Sequence, residues 1–174
     1  MPNPSDSLDS PRASAPLANA LRLTLLQQRE IEARVLGPLI RGFEREFGRE
    51  RSIAVVREVI SELAREAGAE TARLFGEASL SAFAGCLERW REDGSLEIEI
   101  VRQDQDHLDF NVTRCRYAEM YHRLGLADLG SSLSCRRDFA LVEGFNPEIQ
   151  LRRTQTIMEG ATHCDFRFQS CQRS

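Results

Sequence analysis

The sequence predicts an α+β domain in which N-terminal helices pack on one face of a small antiparallel sheet made of two hairpins, with helices between the hairpins. Apolar residues recur at helical spacing through the first half of the chain and alternate with polar residues at 95–101, 108–112 and near the C-terminus. Helices grouped ahead of strands are typical of α+β domains. We predict a single domain over 17–174, preceded by a disordered arm at 1–16 that is rich in Pro, Ser and Asp.

Three helices are predicted before the first strand. The first covers 17–47 and is expected to kink or restart at Gly37–Pro38, because proline has no N–H for the helical hydrogen bond. The second begins near Ser52 and is expected to stop at Gly68, since glycine commonly follows the last turn of a helix. The third covers about 70–91.

From 95 onward the apolar residues alternate with polar ones, which is the period of a strand. SLEIEIV and LDFNV alternate apolar and polar residues on either side of a polar turn, which predicts the first hairpin. Helical spacing returns at 113–125, with Thr113 as a candidate N-cap, and again at about 127–142.

The segments EIQLRRTQTIM and HCDFRFQ, joined by EGAT, predict a second hairpin. In one register Thr156 faces Asp165 and Thr154 faces Arg167. In the register slipped by one residue, Thr156 faces Cys164 instead. Either pairing predicts that these hydroxyls, the thiol and the carboxylate lie close together.

Strand alternation divides the stretch HCDFRF between the two faces of the sheet. One face should carry Cys164, Phe166 and Phe168. The other should carry His163, Asp165 and Arg167. We therefore do not expect His163 to be the base that activates Cys164.

Charge and composition exclude several classes of function. The net charge is −4 and all 23 basic residues are Arg, scattered among 27 acidic ones, which argues against a nucleic-acid-binding surface. Without Lys, neither a Schiff base nor a Lys general base can form, so Arg, hydroxyls or backbone N–H groups must hold a substrate carboxylate. No apolar run is long enough to span a membrane. Five cysteines without an apolar leader favour reduced thiols and a cytoplasmic location.

A metal site is the weaker hypothesis for the polar residues of the 113–125 helix. Cys115, Glu119 and His122 share one helix face, and Cys135 with Asp138 could complete a zinc shell. These spacings match no zinc signature, and a solvated helix face is the commoner explanation. We predict no metal and no cofactor, with zinc as the alternative.

Cys164 is predicted either as a nucleophile or as a small residue of the core. A nucleophilic thiol needs a base or a positive neighbour, for which His122, Asp138 or an Arg are the candidates. Adjacent strand residues point to opposite faces, so either Arg152 or Arg153 should point inward as a candidate anion clamp.

Five segments follow one another along the chain: EIEARVLGPLIRGFEREFGRE, SLEIEIV, FNVTRCRYAEMYHRLG, LSCRRDFALVEGFNPEI and LRRTQTIMEGATHCDFRF. In this order and spacing they resemble the L-2-amino-thiazoline-4-carboxylic acid hydrolase family. The resemblance extends from about Ile31 to Phe168, and its most specific part is C-x2-D followed by R-T-x-T-x3-G-x3-C-D-F.

The resemblance implies a ring-opening hydrolase that acts on a cyclic C–N bond of 2-amino-thiazoline-4-carboxylate, a cyclic amidine, and gives carbamoyl-cysteine for cysteine biosynthesis. The candidate catalytic residues are Cys164, Asp165, Asp138 and His122. The candidate substrate-binding residues are Arg153, Thr154, Thr156, Cys115 and Cys135.

A non-catalytic alternative is a small-molecule or metal-binding sensor domain that uses Cys115, Cys135 and Cys164. For either function the expected partner is a small molecule, without nucleic acid or membrane. The sequence is also compatible with a homo-oligomer.

Overall fold

The computed structural model describes residues 22–171 and begins with two long helices. Helix α1 spans Leu25–Phe47 and helix α2 spans Arg49–Phe75. Thr24 and Gln27 form a capping box at the start of α1, in which each side chain binds the backbone N–H of the other residue. The arm predicted at 1–16 lies outside the described residues.

Helix α1 continues through Pro38 as one element, so the predicted restart at Gly37–Pro38 is wrong. Pro38 is exposed, and so is Arg34, whose carbonyl lacks its helical partner because proline has no N–H. Gly37 is buried, and a Cβ at this position would lie 2.7 Å from a methyl carbon of Leu126. The glycine is therefore required by packing rather than by a break in the helix.

The sequence predicts that the second helix ends at Gly68, and this prediction is wrong. Helix α2 runs to Phe75 and stops at Gly76, whose φ of 72° suits glycine. The region predicted as one helix over 70–91 instead contains the end of α2 and two short helices, α3 (Leu80–Ala84) and α4 (Cys86–Trp90).

Two glycines let α2 and α7 (Arg137–Phe145) touch through their backbones. A Cβ at Gly68 would lie 2.1 Å from the carbonyl oxygen of Leu141. A Cβ at Gly144 would lie 1.9 Å from the carbonyl oxygen of Arg65. Because any larger residue would force the helices apart, these glycines fix the position of α7 against α2.

The sheet has four antiparallel strands in the order β1-β2-β4-β3. The strands are β1 (Leu96–Gln103), β2 (His107–Cys115), β3 (Ile149–Arg152) and β4 (Cys164–Ser170). Strand β4 alternates between the two sides as predicted, with Cys164, Phe166 and Phe168 buried in the core. The predicted α+β class is confirmed.

Three elements connect β2 to α7. Helix α5 (Arg116–Arg123) is capped by the thiol of Cys115, which accepts a hydrogen bond from the N–H of Ala118, so Thr113 is not its cap. Helix α6 (Ala127–Gly130) then leads into one π-helical turn, Ser131–Cys135. Such turns are rare and frequently lie at functional sites.

Both predicted registers of the second hairpin are wrong. Strand β3 ends at Arg152, which pairs with Arg167, and the eleven residues 153–163 connect it to β4. Thr154 lies opposite Asp165, to which its backbone N–H donates at 2.9 Å. The connection is longer than the predicted four-residue turn and contains a 3₁₀ helix at Ile157–Glu159.

The buried side chains form two clusters on either side of Cys115. One lies between the sheet and helices α3, α4 and α7, and includes Phe83, Phe110 and Phe168. The other lies among α1, α2, α5 and α6. No helix within residues 22–171 is both long and apolar enough to cross a membrane.

Candidate active site

A cavity of about 110 Å³ lies where the two clusters meet. A volume of this size is well below the roughly 300–1,000 Å³ of a drug-sized pocket and is comparable to cavities that admit a single ring. Both long helices, α7, the sheet and the 153–163 connection contribute to its walls. Its polar lining consists of Arg29, Cys115, Tyr117, Ser134, Cys135, Arg137, Asp138, Arg153 and Cys164.

Arg153 and Asp138 form an ion pair in the wall of this cavity. One terminal nitrogen of Arg153 donates to Asp138, and the other donates to the carbonyl of Cys135 at 2.9 Å. The guanidinium carbon lies 5.0 Å from the ring centroid of Phe139 and 4.9 Å from that of Phe166. Stacking between two rings orients the guanidinium plane and favours Arg over any other cation.

The same Arg153 side chain is only 5% exposed and keeps one polar atom unsatisfied. Its Nε is buried and has no hydrogen-bond partner among the described residues. A buried unpaired N–H is costly, so it marks a position at which a ligand or water atom can bind.

Burial raises the pKa of Asp138, against the opposing effect of Arg153 and the nearby Arg137 and Arg29. Burial lowers the pKa of Arg153, but the charge and hydrogen bond of Asp138, together with Cys135 and Cys164, outweigh this effect and raise the pKa overall. The 23% of the Asp138 side chain that remains exposed lines the cavity. A carboxyl group with a raised pKa in a cavity is a candidate for proton transfer.

Three thiols predicted as site residues line the cavity together: Cys115, Cys135 and Cys164. Burial raises the pKa of all three, to about 11 for Cys115, so each is protonated at neutral pH. The Sγ of Cys164 accepts a hydrogen bond from the N–H of Ile157 at 3.2 Å, and Arg153 also favours its thiolate. Of the three, Cys164 thus has both a backbone donor and an arginine beside it.

Asp165 lies on the other face of β4 from Cys164 and binds the connection after β3. Its carboxylate accepts from the hydroxyl of Thr154 at 2.7 Å and from the N–H groups of Thr154 and Gln155 at 2.9 Å. Burial raises the pKa of Asp165, but these hydrogen bonds outweigh that effect and lower it overall. The arrangement therefore holds Asp165 as a carboxylate.

The predicted residues Thr154 and Thr156 line a different, polar cleft of about 290 Å³. The hydroxyl of Thr156 binds Glu159 at 2.7 Å and caps the 3₁₀ helix. Arg153 lines both this cleft and the inner cavity, so it forms part of the wall between them.

Neither histidine considered in the sequence lies in the cavity lining. His122 is exposed on α5. His163 lies within 3.1 Å of the side chain of Gln155, in the connection that precedes β4. The structure therefore does not bring His122 to Cys164, and it also separates His163 from that thiol, as the alternation predicted.

Within the described part of the chain, no three His, Cys, Asp or Glu side chains are close enough to share a metal ion. The residues of the predicted zinc shell lie in different places. Cys115, Cys135 and Asp138 line the cavity, whereas Glu119 is exposed and pairs with Arg114 at 2.8 Å.

Arg29 and Arg137 are the cavity residues that sequence reasoning missed. Arg29 reaches the cavity from α1 and Arg137 from α7, and both contact the carboxylate of Glu32. Nothing in the sequence separates Arg137 from its exposed neighbour Arg136. Only the path of α7 after the π-helical turn decides which of the two points inward.

Residues 28–168 match the family model described as L-2-amino-thiazoline-4-carboxylic acid hydrolase. The chain belongs to this family. The match covers the elements from α1 to β4 and therefore every residue of the cavity lining except Leu25. No curated protein is significantly similar in sequence.

One similar solved structure is the phenol-responsive sensory domain of the transcription activator PoxR, crystallised with phenol. It has 14% sequence identity to this chain and a TM-score of 0.49. The alignment covers 78% of this chain and 73% of that chain.

Proposed function

We propose that the protein is a hydrolase that opens the ring of a small cyclic amidine carboxylate such as 2-amino-thiazoline-4-carboxylate. The observation that carries the proposal is the ion-paired, buried Asp138 in a cavity that suits one ring and also contains three thiols. Membership of the family supports the reaction class.

Asp138 is the proton-transfer group of the proposed reaction. The amidine carbon becomes electrophilic when the amidine is protonated, and a carboxylate beside it stabilises the cation. The raised pKa of Asp138 makes this carboxyl group a better proton acceptor, which can later return the proton. Arg153 orients it by holding one of its two oxygens.

Cys164 is the proposed nucleophile. Its thiol is protonated in the free protein, so attack on the ring carbon requires transfer of its proton to Asp138. One ring bond to that carbon then breaks, and the ring atom that leaves takes the proton from Asp138. Water adds to the carbon held by Cys164, and collapse of this adduct forms the carbamoyl group and releases the thiol with its proton. The N–H of Ile157 and the charge of Arg153 stabilise the thiolate as it forms. In the competing mechanism Asp138 takes a proton from water, and Cys164 only lines the cavity.

The overall reaction adds one water to the substrate and breaks one ring bond at the carbon between sulfur and nitrogen. Cleavage of the C–N bond leaves the carbamoyl group on sulfur, whereas cleavage of the C–S bond leaves it on nitrogen and releases a thiol. Either product is a carbamoyl-cysteine and is suited to cysteine biosynthesis. All five cysteines are unpaired, which suits a reducing compartment such as the cytoplasm.

The test is incubation of the full chain with 2-amino-thiazoline-4-carboxylate, followed by mass spectrometry and a free-thiol assay of the product. We expect a product heavier by one water, and the thiol assay identifies the broken bond. Absence of turnover by the unmodified protein would contradict the proposed substrate.

Cys164→Ala separates the two mechanisms, with Cys171→Ala as a control because Cys171 lies outside the cavity lining. Loss of activity only in Cys164→Ala supports the nucleophile. Full activity in both variants instead assigns the attack to water.

A binding domain without catalysis is the second candidate, and one observation favours it. Every thiol in the cavity has a raised pKa, so the free protein contains no activated thiolate there. Calorimetric binding of the same compound without any change in its mass would support this function over the hydrolase.

A further inference from the structure

Arg29 and Arg137 meet at one side of the cavity, between α1 and α7. A terminal nitrogen of Arg29 donates to Glu32 at 2.6 Å, and a terminal nitrogen of Arg137 donates to the same carboxylate at 3.0 Å. The Nε of Arg137 also donates to the carbonyl of Leu133 at 2.8 Å. Both arginine side chains are largely buried, at 16% and 14% exposure.

The charges around the cavity do not balance. Three guanidinium groups face two carboxylates, because Arg153 pairs with Asp138 while Arg29 and Arg137 share Glu32. The thiols are neutral, so these five charged groups together carry one excess positive charge. Burial and the charge of Arg29 lower the pKa of Arg137, which is the expected response to this excess.

We propose that Arg29 and Arg137 form a subsite for the carboxylate of the ligand. An anion there neutralises the excess charge, and both guanidinium groups have N–H donors to offer. Within residues 22–171, the Nε and one terminal nitrogen of Arg29 and one terminal nitrogen of Arg137 make no hydrogen bond. Paired arginine donors match the geometry of a carboxylate.

This subsite differs from the clamp that the sequence predicted at Arg153. Both terminal nitrogens of Arg153 are already bound, so only its Nε could reach a ligand. Arg153 therefore positions Asp138, and the anion binds at the Arg29–Arg137 side. A ligand that has both a carboxylate and a cationic amidine can pair the first with Arg29 and Arg137 and the second with Asp138.

The identity of the rest of the ligand rests on the proposed function, whereas carboxylate binding can be measured without turnover. The test compares calorimetric affinities for 2-amino-thiazoline-4-carboxylate and for 2-amino-thiazoline, which lacks the acid. Arg29→Gln and Arg137→Gln are compared with Arg34→Gln and Arg136→Gln, whose side chains are exposed and outside the cavity lining.

We expect Arg137→Gln and Arg29→Gln each to weaken binding of the acid by about 10- to 100-fold and to leave binding of 2-amino-thiazoline unchanged. Arg137→Lys, which keeps the charge but loses the fork of donors, should retain part of the affinity, and circular dichroism verifies that each variant is folded.

Three results would overturn the subsite: equal weakening for both compounds, no weakening for either, or no preference of the unmodified protein for the acid. Tight binding of the acid without turnover would overturn the hydrolase proposal while supporting the subsite, so the two failures are distinguishable.

Discussion

Two concave regions of this molecule differ in size and in chemistry. The groove between α1 and α2 has a volume of about 410 Å³ and is lined by apolar side chains, with Arg51 and Ser52 as its polar residues. The inner cavity beside α7 has about 110 Å³ and contains four charged side chains, Tyr117 and three thiols in addition to its apolar walls. The smaller region contains the groups that can transfer protons and bind charge.

Volume alone would therefore select the groove, which lacks these groups. The groove has neither an acid–base pair nor an unsatisfied buried donor, whereas the cavity has both. Several apolar side chains along the groove, such as Leu39, Val55 and Val59, are about half exposed. Substitutions should therefore have large effects at the cavity and small effects at the groove.

The largest expected effect is on turnover by Asp138→Asn. Asparagine is nearly the same size but cannot transfer the proton, so we expect kcat to fall by about 10²- to 10⁴-fold. The measurement is initial rate of ring opening, with the exposed Asp106→Asn as control. If Asp138→Asn retains half of the original rate, Asp138 does not transfer the proton, and the contrast between the two regions is weaker.

Arg153→Ala should destabilise the protein by about 3–5 kcal/mol, because it leaves the carboxylate of Asp138 buried without its partner. The adjacent Arg152 is exposed on β3, and Arg152→Ala should change the free energy of unfolding by less than about 0.5 kcal/mol. Urea denaturation of the two variants measures the difference. Equal effects would show that the ion pair is not a special feature of the cavity.

Gly144→Ala should destabilise the protein by about 1–3 kcal/mol or more, since its Cβ would lie 1.9 Å from a backbone oxygen of α2. Gly42→Ala, in α1, is the matched control because no backbone atom lies near its position. It should stabilise α1 by roughly 0.5–1 kcal/mol through helix propensity. Thermal unfolding tests both, and a harmless Gly144→Ala would contradict the close contact of α2 and α7.

Alkaline pH should destabilise the cavity region and not the groove. Burial raises the pKa of Cys115 to about 11 and that of Tyr117 to about 12. A raised pKa in the folded state means that the stabilisation is complete below the ordinary pKa values of these groups, 9.0 and 10.0, and is lost as the pH rises through 11 and 12.

Each group should contribute on the order of 2 kcal/mol to this loss. Urea midpoints at pH 8 and pH 11 measure it, and Cys115→Ala should reduce the difference. A midpoint that does not change with pH would show that these groups titrate normally.

The smallest effect is expected in the groove. Val59 is 47% exposed, and Val59→Gln should change the free energy of unfolding by less than about 0.5 kcal/mol. Ala64, on the same helix, is 2% exposed and lines the cavity, so Ala64→Gln should be destabilising by about 1–3 kcal/mol. Denaturant unfolding measures both changes in free energy. Similar values for the two variants would contradict the expected difference between the cavity and the groove.

The fold could be predicted from the sequence because periodicity is a local signal. The change from helical spacing to alternation located both hairpins, and it separated Cys164 from Asp165 on β4. Gly68 was misjudged because a glycine that ends a helix and a glycine that admits another backbone look alike in sequence. The predicted registers of the second hairpin were wrong because no local pattern shows that 153–163 forms a connection with its own 3₁₀ helix.

The site was predicted only in part. The family resemblance pointed to Cys115, Cys135, Asp138, Arg153 and Cys164, which the structure brings to one cavity. Arg29 could not be assigned, because its charged neighbours on α1 suggest an ordinary solvated helix face. Its role depends on the ion pair between Glu32 of α1 and Arg137 of α7, a long-range contact that no local pattern encodes.

The contact between Gly68 and Leu141, together with that between Gly144 and Arg65, has a consequence for how this protein can change. Main-chain atoms have no rotamers, so a contact built from them offers few ways to repack. The frame that holds α7 is therefore insensitive to substitutions on the outer faces of either helix. Side chains on those outer faces can diversify over generations while the backbone that carries Asp138 keeps its position.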